Sequence, residues 1–513
     1  MSANPHQSTP TYQRRRPELT SLYRAVRQHL PKLNDRLAHE GKTLPRFVHE
    51  TFQRFLSCGQ LKGGFARLYC HQCKHSRLVP FSCKRRGVCS SCAARQMTQR
   101  AQRQREEVIP NCRTRQWVLT FPTPLYTYLA YFPEALNDAL DVFIDTLRYH
   151  YQRRCLPLAP HPPERYCQRG HQRGDDLNAY YSPRYPHDLG AITSVQRHTD
   201  ALTLYPHFHV ITTDGLLVAS DGPLKPRESV DEAHFLPAPY LYLENLIDIL
   251  ILYEHRLTRR FIRRGYLRPI TPGLPASDQS FTLHWGYEDP SEEESLLLKC
   301  YAASAKLRHA FGPRAGQPLE LHMEDALAGS AWDTPLCVSH SGFNLHANTV
   351  VEASDRDRLE KLCRYIQRLV IAQDRLAELE DGRFYYEFKR VWKNGTRGIF
   401  FEGPDLHERL AALSPPPRRH QVRYHGVYAP NSRFQAVVKR MTLAGEEAQR
   451  RQQRARRRVY WVLWAELLKR TFAVDVTCCP ICSGSMQHIS LIYLPEAILA
   501  LLPYDVVGAR GPP

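Results

Sequence analysis

Residues 202–212 read Leu-Thr-Leu-Tyr-Pro-His-Phe-His-Val-Ile-Thr, a short run bounded by polar residues on both sides. Its β-branched and aromatic content predicts a strand over Leu202–Thr212. Side chains alternate along a strand, so Leu204, Phe208 and Val210 fall on one face and His207 and His209 on the other. Two imidazoles on one face, with Cα atoms about 7 Å apart, can grip a single divalent ion. The pattern alone carries little weight, because 24 histidines in 513 residues supply about one His-x-His pair by chance. A pair of satisfied interior histidines is the competing reading.

Further strands are expected around this one. Gln116–Phe121 is apolar and β-branched and is stopped by Pro122. Ala191–Gln196 precedes a polar turn at His198–Asp200, and Asn344–Val351 alternates. Phe384–Val391 and Thr396–Phe401 flank a turn with Lys393-Asn394-Gly395 and read as a hairpin. Helical spacing marks Ser21–Leu37, a second helix with Val48, Phe52 and Phe55, and an exit helix Met97–Val108. Tyr240–Arg264 reads as a helix stopped at Gly265, and Val459–Arg470 as an amphipathic one. Ser354-x-x-Asp357 resembles a capping box that opens a helix over Asp355–Leu379. This is a mixed α and β chain, long enough for about three or four units.

Its 70 Lys and Arg against 51 Asp and Glu leave a formal charge of +19, which points to a polyanionic partner, usually nucleic acid. Hydrophobic content of 42% excludes whole-chain disorder. The opening residues have no secretory pattern, and no apolar run reaches the roughly 18 residues of a membrane span, so a soluble intracellular protein is expected.

The 15 cysteines form Cys-x-x-Cys three times, where chance supplies about 0.4 pairs. Cys70-x2-Cys73-x15-Cys89-x2-Cys92 matches the spacing of a structural zinc site, with four soft ligands on two knuckles. His71, His75 and Cys83 lie inside it and can replace or supplement a ligand. Lys74, Arg77, Lys84, Arg85, Arg86 and Arg95 surround it, giving a cationic face suited to phosphate. Cys479-Pro480-Ile481-Cys482 is half a knuckle without assigned partners. Cys58, Cys112, Cys155, Cys167, Cys300, Cys337 and Cys363 read as inert buried thiols.

Tyr365 sits on the predicted helix after Asp355. Leu359, Leu362, Cys363, Ile366, Leu369 and Val370 follow the core-facing rule, and Lys361, Arg364 and Arg368 run along the neighbouring face. A tyrosine at that border is either amphipathic packing or a nucleophile toward a metal-polarised phosphate held by cations.

Several runs together resemble the insertion-sequence-91 family of transposases, rolling-circle enzymes with a His-hydrophobic-His (HUH) nuclease core. They are Phe81–Lys84 with Cys92, Gln116–Thr120, Pro206–His209, Leu362–Ile366, Arg423–Val427, Trp464–Leu468 and Cys479-Pro480-x-Cys482, in order from roughly Tyr23 to Ile492. The resemblance implies an α+β fold: an HUH-endonuclease-like antiparallel sheet with helices, preceded by a small helical, zinc-ribbon-type domain. A basic helical tail with a Cys-x-x-Cys knuckle follows. The expected segments are an arm 1–20, a helical and zinc-binding domain 21–108, the nuclease domain 109–414 and a basic region 415–513.

The resemblance also implies that His207 and His209 ligate a catalytic divalent ion (Mg2+ or Mn2+), with His346 as best third ligand and Gln367 behind it. Tyr365 becomes the nucleophile, Cys70, Cys73, Cys89 and Cys92 hold structural Zn2+, and Lys361, Arg364, Arg368, Lys84, Arg85 and Arg86 contact DNA. The substrate is single-stranded or hairpin DNA at the element's own ends, nicked to a 3′-hydroxyl and a 5′-phosphotyrosine. The expected location is the bacterial cytoplasm, at the nucleoid. The family's founding type has two tyrosines one helical turn apart; here the positions four residues either side of Tyr365 are Lys361 and Leu369, so one tyrosine is expected. A replication initiator or relaxase with the same core, and a non-catalytic zinc-finger protein, are the alternatives.

Overall fold

The structure, a computed structural model, describes residues 16–84, 87–156, 186–220, 228–270, 280–285, 291–323, 335–392, 394–442, 460–472 and 474–502. The elements used below are strands β1 (Phe65–Cys70), β2 (Ser76–Pro80), β3 (Thr114–Thr120), β4 (Gly190–His198) and β5 (Leu204–Thr213). They continue with β6 (Cys337–His340), β7 (Phe343–Val351), β8 (Val422–Gly426) and β9 (Met486–Ile492). The helices are α1 (Ser21–His39), α2 (Arg46–Ser57), α3 (Ser90–Arg103), α4 (Pro133–Cys155) and α5 (Leu243–Arg263). They end with α6 (Arg356–Tyr365), α7 (Gly403–Leu413) and α8 (Tyr460–Phe472).

Helix α1 opens on a Thr20 cap whose hydroxyl accepts from the Tyr23 amide, and it buries Leu22, Val26, Leu30, Leu33 and Leu37 along one stripe. That stripe shares a core with Val48, Phe52 and Phe55 of α2, with Leu406 and Leu410 of α7, and with Phe384, Tyr386, Ile399 and Phe401. The last four lie on Phe384–Glu387 and Thr396–Phe401, which pair antiparallel as the hairpin reading requires.

The central sheet has six strands in the order β6-β7-β3-β5-β4-β8, all antiparallel. One face carries Trp117, Leu119, Phe208, Val210 and Leu345, which pack against Leu140 and Phe143 of α4 and Leu250 and Tyr253 of α5. Truncating an aromatic buried like Phe208 to alanine costs about 3–5 kcal/mol. At the end of β3, Arg115 makes a fork with Asp214, Nε to Oδ1 at 2.9 Å and Nη2 to Oδ2 at 3.0 Å. Both side chains are buried, so removing Asp214 leaves the Arg115 charge without its partner, at about 3–5 kcal/mol, whereas removing Arg115 leaves Asp214 still paired with Arg113 at 2.9 Å. The opposite face is polar at its centre.

Three expectations change. The helix drawn over Asp355–Leu379 ends at Tyr365: the Gln367 and Arg368 amides turn to the i−3 carbonyls of Arg364 and Tyr365 at 3.0 and 3.2 Å, and strand side chains take carbonyls beyond, Gln196 Nε2 donating to Ile366 O at 2.7 Å and His198 Nε2 to Leu369 O at 3.0 Å. The central sheet does not end with the expected nuclease segment 109–414; β8 lies past it and adds to β4. The C-terminal knuckle is not part of a separate tail, since β9 pairs with β1 from Phe65↔Ile492 to Cys70↔Met486 in a sheet ordered β9-β1-β2. The residues before Arg16, Cys167 and an arginine-rich stretch, Arg450–Arg458, lie outside the described residues. Among the described residues, no helix is long and apolar enough to cross a membrane.

Burial pushes His150, His407 and His425 each down to about 4. Their folded values lie below the unfolded value of about 6.5, so the unfolded chain binds more protons between those limits and stability falls as pH drops through that window. The melting temperature should therefore fall steeply between pH 6.5 and pH 4. A flat profile by scanning calorimetry would contradict it.

Candidate active site and metal centres

The polar face of the central sheet is set by register. His209 lies opposite Val118 on β3 and Ser194 on β4, while Val118 lies opposite His346 on β7. Partners directly across a sheet point to the same face. His207, opposite Gln196, is one alternation further along. Register thus brings His207, His209 and His346 to one side, with His346 two strands from His209 and Val118 between them.

The His207 and His209 rings lie 4.9 Å apart, and the Tyr365 ring stands edge-on to His209 at 5.8 Å. Both histidines are buried, whereas Tyr365 is 45% exposed, so a solvent-borne strand can reach it. Burial drives the His207 imidazole down to about 4, and it is the main cause holding His209 well below, and His346 below, the ordinary range. All three are therefore neutral near pH 7, the state a metal requires.

His207 Nδ1 donates to the Tyr205 carbonyl at 2.7 Å, which leaves the lone pair on Nε2. Gln116 Nε2 lies 2.8 Å from His209 Nδ1, and His209 Nε2 is buried with no hydrogen-bond partner. Flipping the Gln116 amide, so that its oxygen accepts from Nδ1–H, puts a lone pair on that orphaned nitrogen as well. Two imidazole nitrogens thus fit a divalent ion. The donor atoms of His207, His209 and His346 do not close into one compact set; among the described residues only two cysteine clusters do so within 4.8 Å.

The cations around Tyr365 are unequal. Arg364 is tied to Glu360 at 2.9 Å. Arg368 gives Nε to Gln196 Oε1 at 3.1 Å and holds its guanidinium 5.9 Å from the Tyr365 ring. Lys361 is exposed. Gln367 turns the other way, donating to Gln104 Oε1 at 3.0 Å and Cys363 O at 2.9 Å. Helix α6 is anchored from outside the sheet by Arg105, bound to Asp357 at 2.9 Å and Glu360 at 3.2 Å.

The cysteines regroup. Cys70, Cys73, Cys89 and Cys92 do not form one site; Cys89 and Cys92 join Cys58 and Cys83, whereas Cys70 and Cys73 join Cys479 and Cys482. The reason is the hairpin β1–β2, which carries the first knuckle away from α3 and toward β9. In the first set, Cys58 Sγ lies 3.6 Å from Cys89 and from Cys92, and Cys83 Sγ 3.4 Å from Cys92. A tetrahedral zinc with Zn–S of about 2.3 Å needs sulfurs about 3.8 Å apart. Hydrogen bonds from Cys58 and then Cys83 hold the Cys89 and Cys92 thiols below the ordinary range, and contact with Cys58 pushes Cys83 up.

Cys58 was therefore not an inert thiol. Its distance from Cys83 in sequence hid it, although Cys83-x5-Cys89-x2-Cys92 left one ligand to find. Gln116 and Gln196 were also missed; a glutamine inside each of two buried strands was the available signal. The expected cationic shell is partly internal, since Arg77 is buried and donates to the Val476 carbonyl at 3.2 Å. Lys84 is exposed, and Arg85 and Arg86 lie outside the described residues.

Residues 25–121 match the family described as "Transposase zinc-binding domain", and residues 190–435 match the family described as "Putative transposase". The first span contains Cys58, Cys83, Cys89 and Cys92, and the second contains His207, His209, His346 and Tyr365. Neither reaches Cys479 and Cys482. No curated protein and no solved structure matches the chain. The zinc-binding match and the cysteine clusters together support structural zinc.

Replacing Cys58 by serine should remove as much zinc from the purified full chain as Cys92→Ser does, and should lower the melting temperature with it, since structural metal is part of the folding free energy. Elemental analysis decides: a Cys58→Ser protein with undiminished zinc would break the first set.

Proposed function

We propose that this chain, an insertion-sequence-91-type transposase by both of its family matches, cuts and rejoins single-stranded DNA at its element's ends through a covalent bond to Tyr365. The observation that carries this reading is the Tyr365 ring 5.8 Å from His209, itself 4.9 Å from His207, on the polar face of the sheet. This is the arrangement an HUH nuclease requires: a phenol beside a pair of neutral imidazoles.

A divalent ion such as Mg2+ or Mn2+, held by His207 and His209 with His346 as candidate third ligand, would polarise the scissile phosphate. The Tyr365 phenol oxygen attacks phosphorus, so an O–P bond forms to the 5′ side as the bond to the 3′ oxygen breaks. The phenolic proton leaves to solvent across the exposed ring, and the departing 3′ oxygen takes a proton from water. Rejoining runs this in reverse, with a 3′-hydroxyl attacking the phosphotyrosine and releasing the phenol. One phosphoester replaces another at each step, so no nucleotide cofactor enters.

Gln196 has two jobs in this scheme. Its amide nitrogen holds the Ile366 carbonyl at the end of α6, and its oxygen orients Arg368, whose guanidinium lies beside the phenol where the phosphate arrives. Lys361 and Lys84 contribute exposed positive charge to the DNA path. Gln116 fixes the His209 ring, as an outer partner of a metal ligand does.

Full-length protein incubated with single-stranded oligonucleotides from the element's ends and Mg2+ or Mn2+ should give a denaturant-resistant protein–DNA adduct. Tyr365→Phe should abolish it while binding to the oligonucleotide survives; an adduct from that variant would refute the nucleophile. His207→Ala should lower the adduct rate by on the order of 100-fold or more. Gln116→Leu should raise the Mn2+ concentration needed by about 10–100-fold.

A further inference from the structure

The second cysteine set couples the two ends of the described chain. Cys70 Sγ lies 3.4 Å from Cys482 Sγ, and Cys73 Sγ lies 3.4 Å from Cys479 Sγ. All four sulfurs fall within 4.8 Å of one another. Cys478, adjacent in sequence, is not in the set and is exposed.

The two knuckles repeat each other's backbone. The Cys70 amide donates to His75 O at 2.9 Å and the Cys479 amide to Gly484 O at 2.8 Å, the same five-residue closure. The residue after each second cysteine is left-handed, Lys74 at φ 61 and Ser483 at φ 58. Amides point at the sulfurs in matching pairs: Gln72 and Cys73 at Cys70, Ile481 and Cys482 at Cys479, His75 at Cys73 and Gly484 at Cys482. Backbone donors thus surround the two knuckles in one matching arrangement. At Gly484 the Gln72 side chain packs close to the backbone, so that a Cβ would displace its amide.

The apolar packing directly beneath the knuckles is small. The local core is Leu68, Val79, Ala465, Val476 and Met486 around the two buried cysteines Cys70 and Cys479. A core of that size is too small to stand without a staple.

We propose that Cys70, Cys73, Cys479 and Cys482 bind a second zinc ion, which locks the C-terminal strand β9 onto the N-terminal zinc-binding domain. Tetrathiolate ligation suits zinc, and the sulfur spacing is that of the first set. The site therefore spans a sequence separation of more than 400 residues, as the Cys70–Cys482 pair requires. It also fixes α8, which contributes Ala465 to the same core and reaches Glu106 through Arg470 at 3.9 Å. This inference goes beyond the nuclease reading and does not depend on it.

Elemental analysis of the purified full chain should give two zinc per chain, one for each cysteine set. The Cys479→Ser/Cys482→Ser double variant should keep one, and Cys478→Ser should keep both. In the wild type, iodoacetamide should label exposed Cys478 promptly but spare Cys482, although Cys482 is also exposed, until a chelator is added. The labelling needs no variant that might fail to fold. A single zinc in the wild type, iron in place of zinc, a double variant that retains both ions, or equal labelling of Cys478 and Cys482 before chelation would each overturn the proposal.

Discussion

The register of β5 between β3 and β4 is the constraint from which the rest follows. It aligns His209 with Val118 and Ser194 and His207 with Gln196, so one strand presents two imidazoles to the polar face and Phe208 and Val210 to the apolar one. A shift of one residue would exchange the faces, burying imidazoles among Trp117 and Phe143 and sending Phe208 toward Tyr365. The apolar face makes that slip costly, and α4 and α5 are what make it apolar. The energy of the packed side thus fixes the geometry of the chemical side.

The polar face in turn decides where α6 stops. Helix C-termini carry carbonyls without partners, and here Gln196 and His198 from β4 supply them at Ile366 and Leu369. Tyr365 is consequently the last helical residue, held against the sheet yet exposed. On its outer side Arg105 grips Asp357 and Glu360, and Arg356 reaches the Ile109 and Pro110 carbonyls at 2.9 and 3.1 Å. The segment leaving the first cysteine set thus continues through α3 into the residues that brace the tyrosine helix. The metal-binding part of the chain and the transposase part share a mechanical path as well as a sequence.

Much of this was legible beforehand. The alternation at 202–212, the apolar spacing of α1 and the stop of α5 before Gly265 are local patterns, and local patterns survive folding when tertiary burial agrees with them. Helix α6 was overdrawn because Leu369 and Val370 continue its apolar spacing; its last amides tighten onto i−3 carbonyls just where β4 side chains take the carbonyls that follow. Cysteine grouping failed for the same reason. Adjacent Cys-x-x-Cys pairs look like natural partners, but a β-hairpin reverses direction between them, and each pair found its complement elsewhere: Cys58 and Cys83 for one, Cys479 and Cys482 for the other.

The sequence by itself determined the residue types and their local geometry: two histidines on one face of a strand, one tyrosine on an amphipathic helix, cysteines in knuckles, and the positive charge of a DNA-handling protein. Family resemblance added their expected roles. Tertiary structure alone decided which knuckle meets which, where the tyrosine helix ends, and that β9 returns to pair with β1. These are long-range matters, set by sheet pairing and by buried side chains finding partners hundreds of residues away, and no short-range periodicity encodes them.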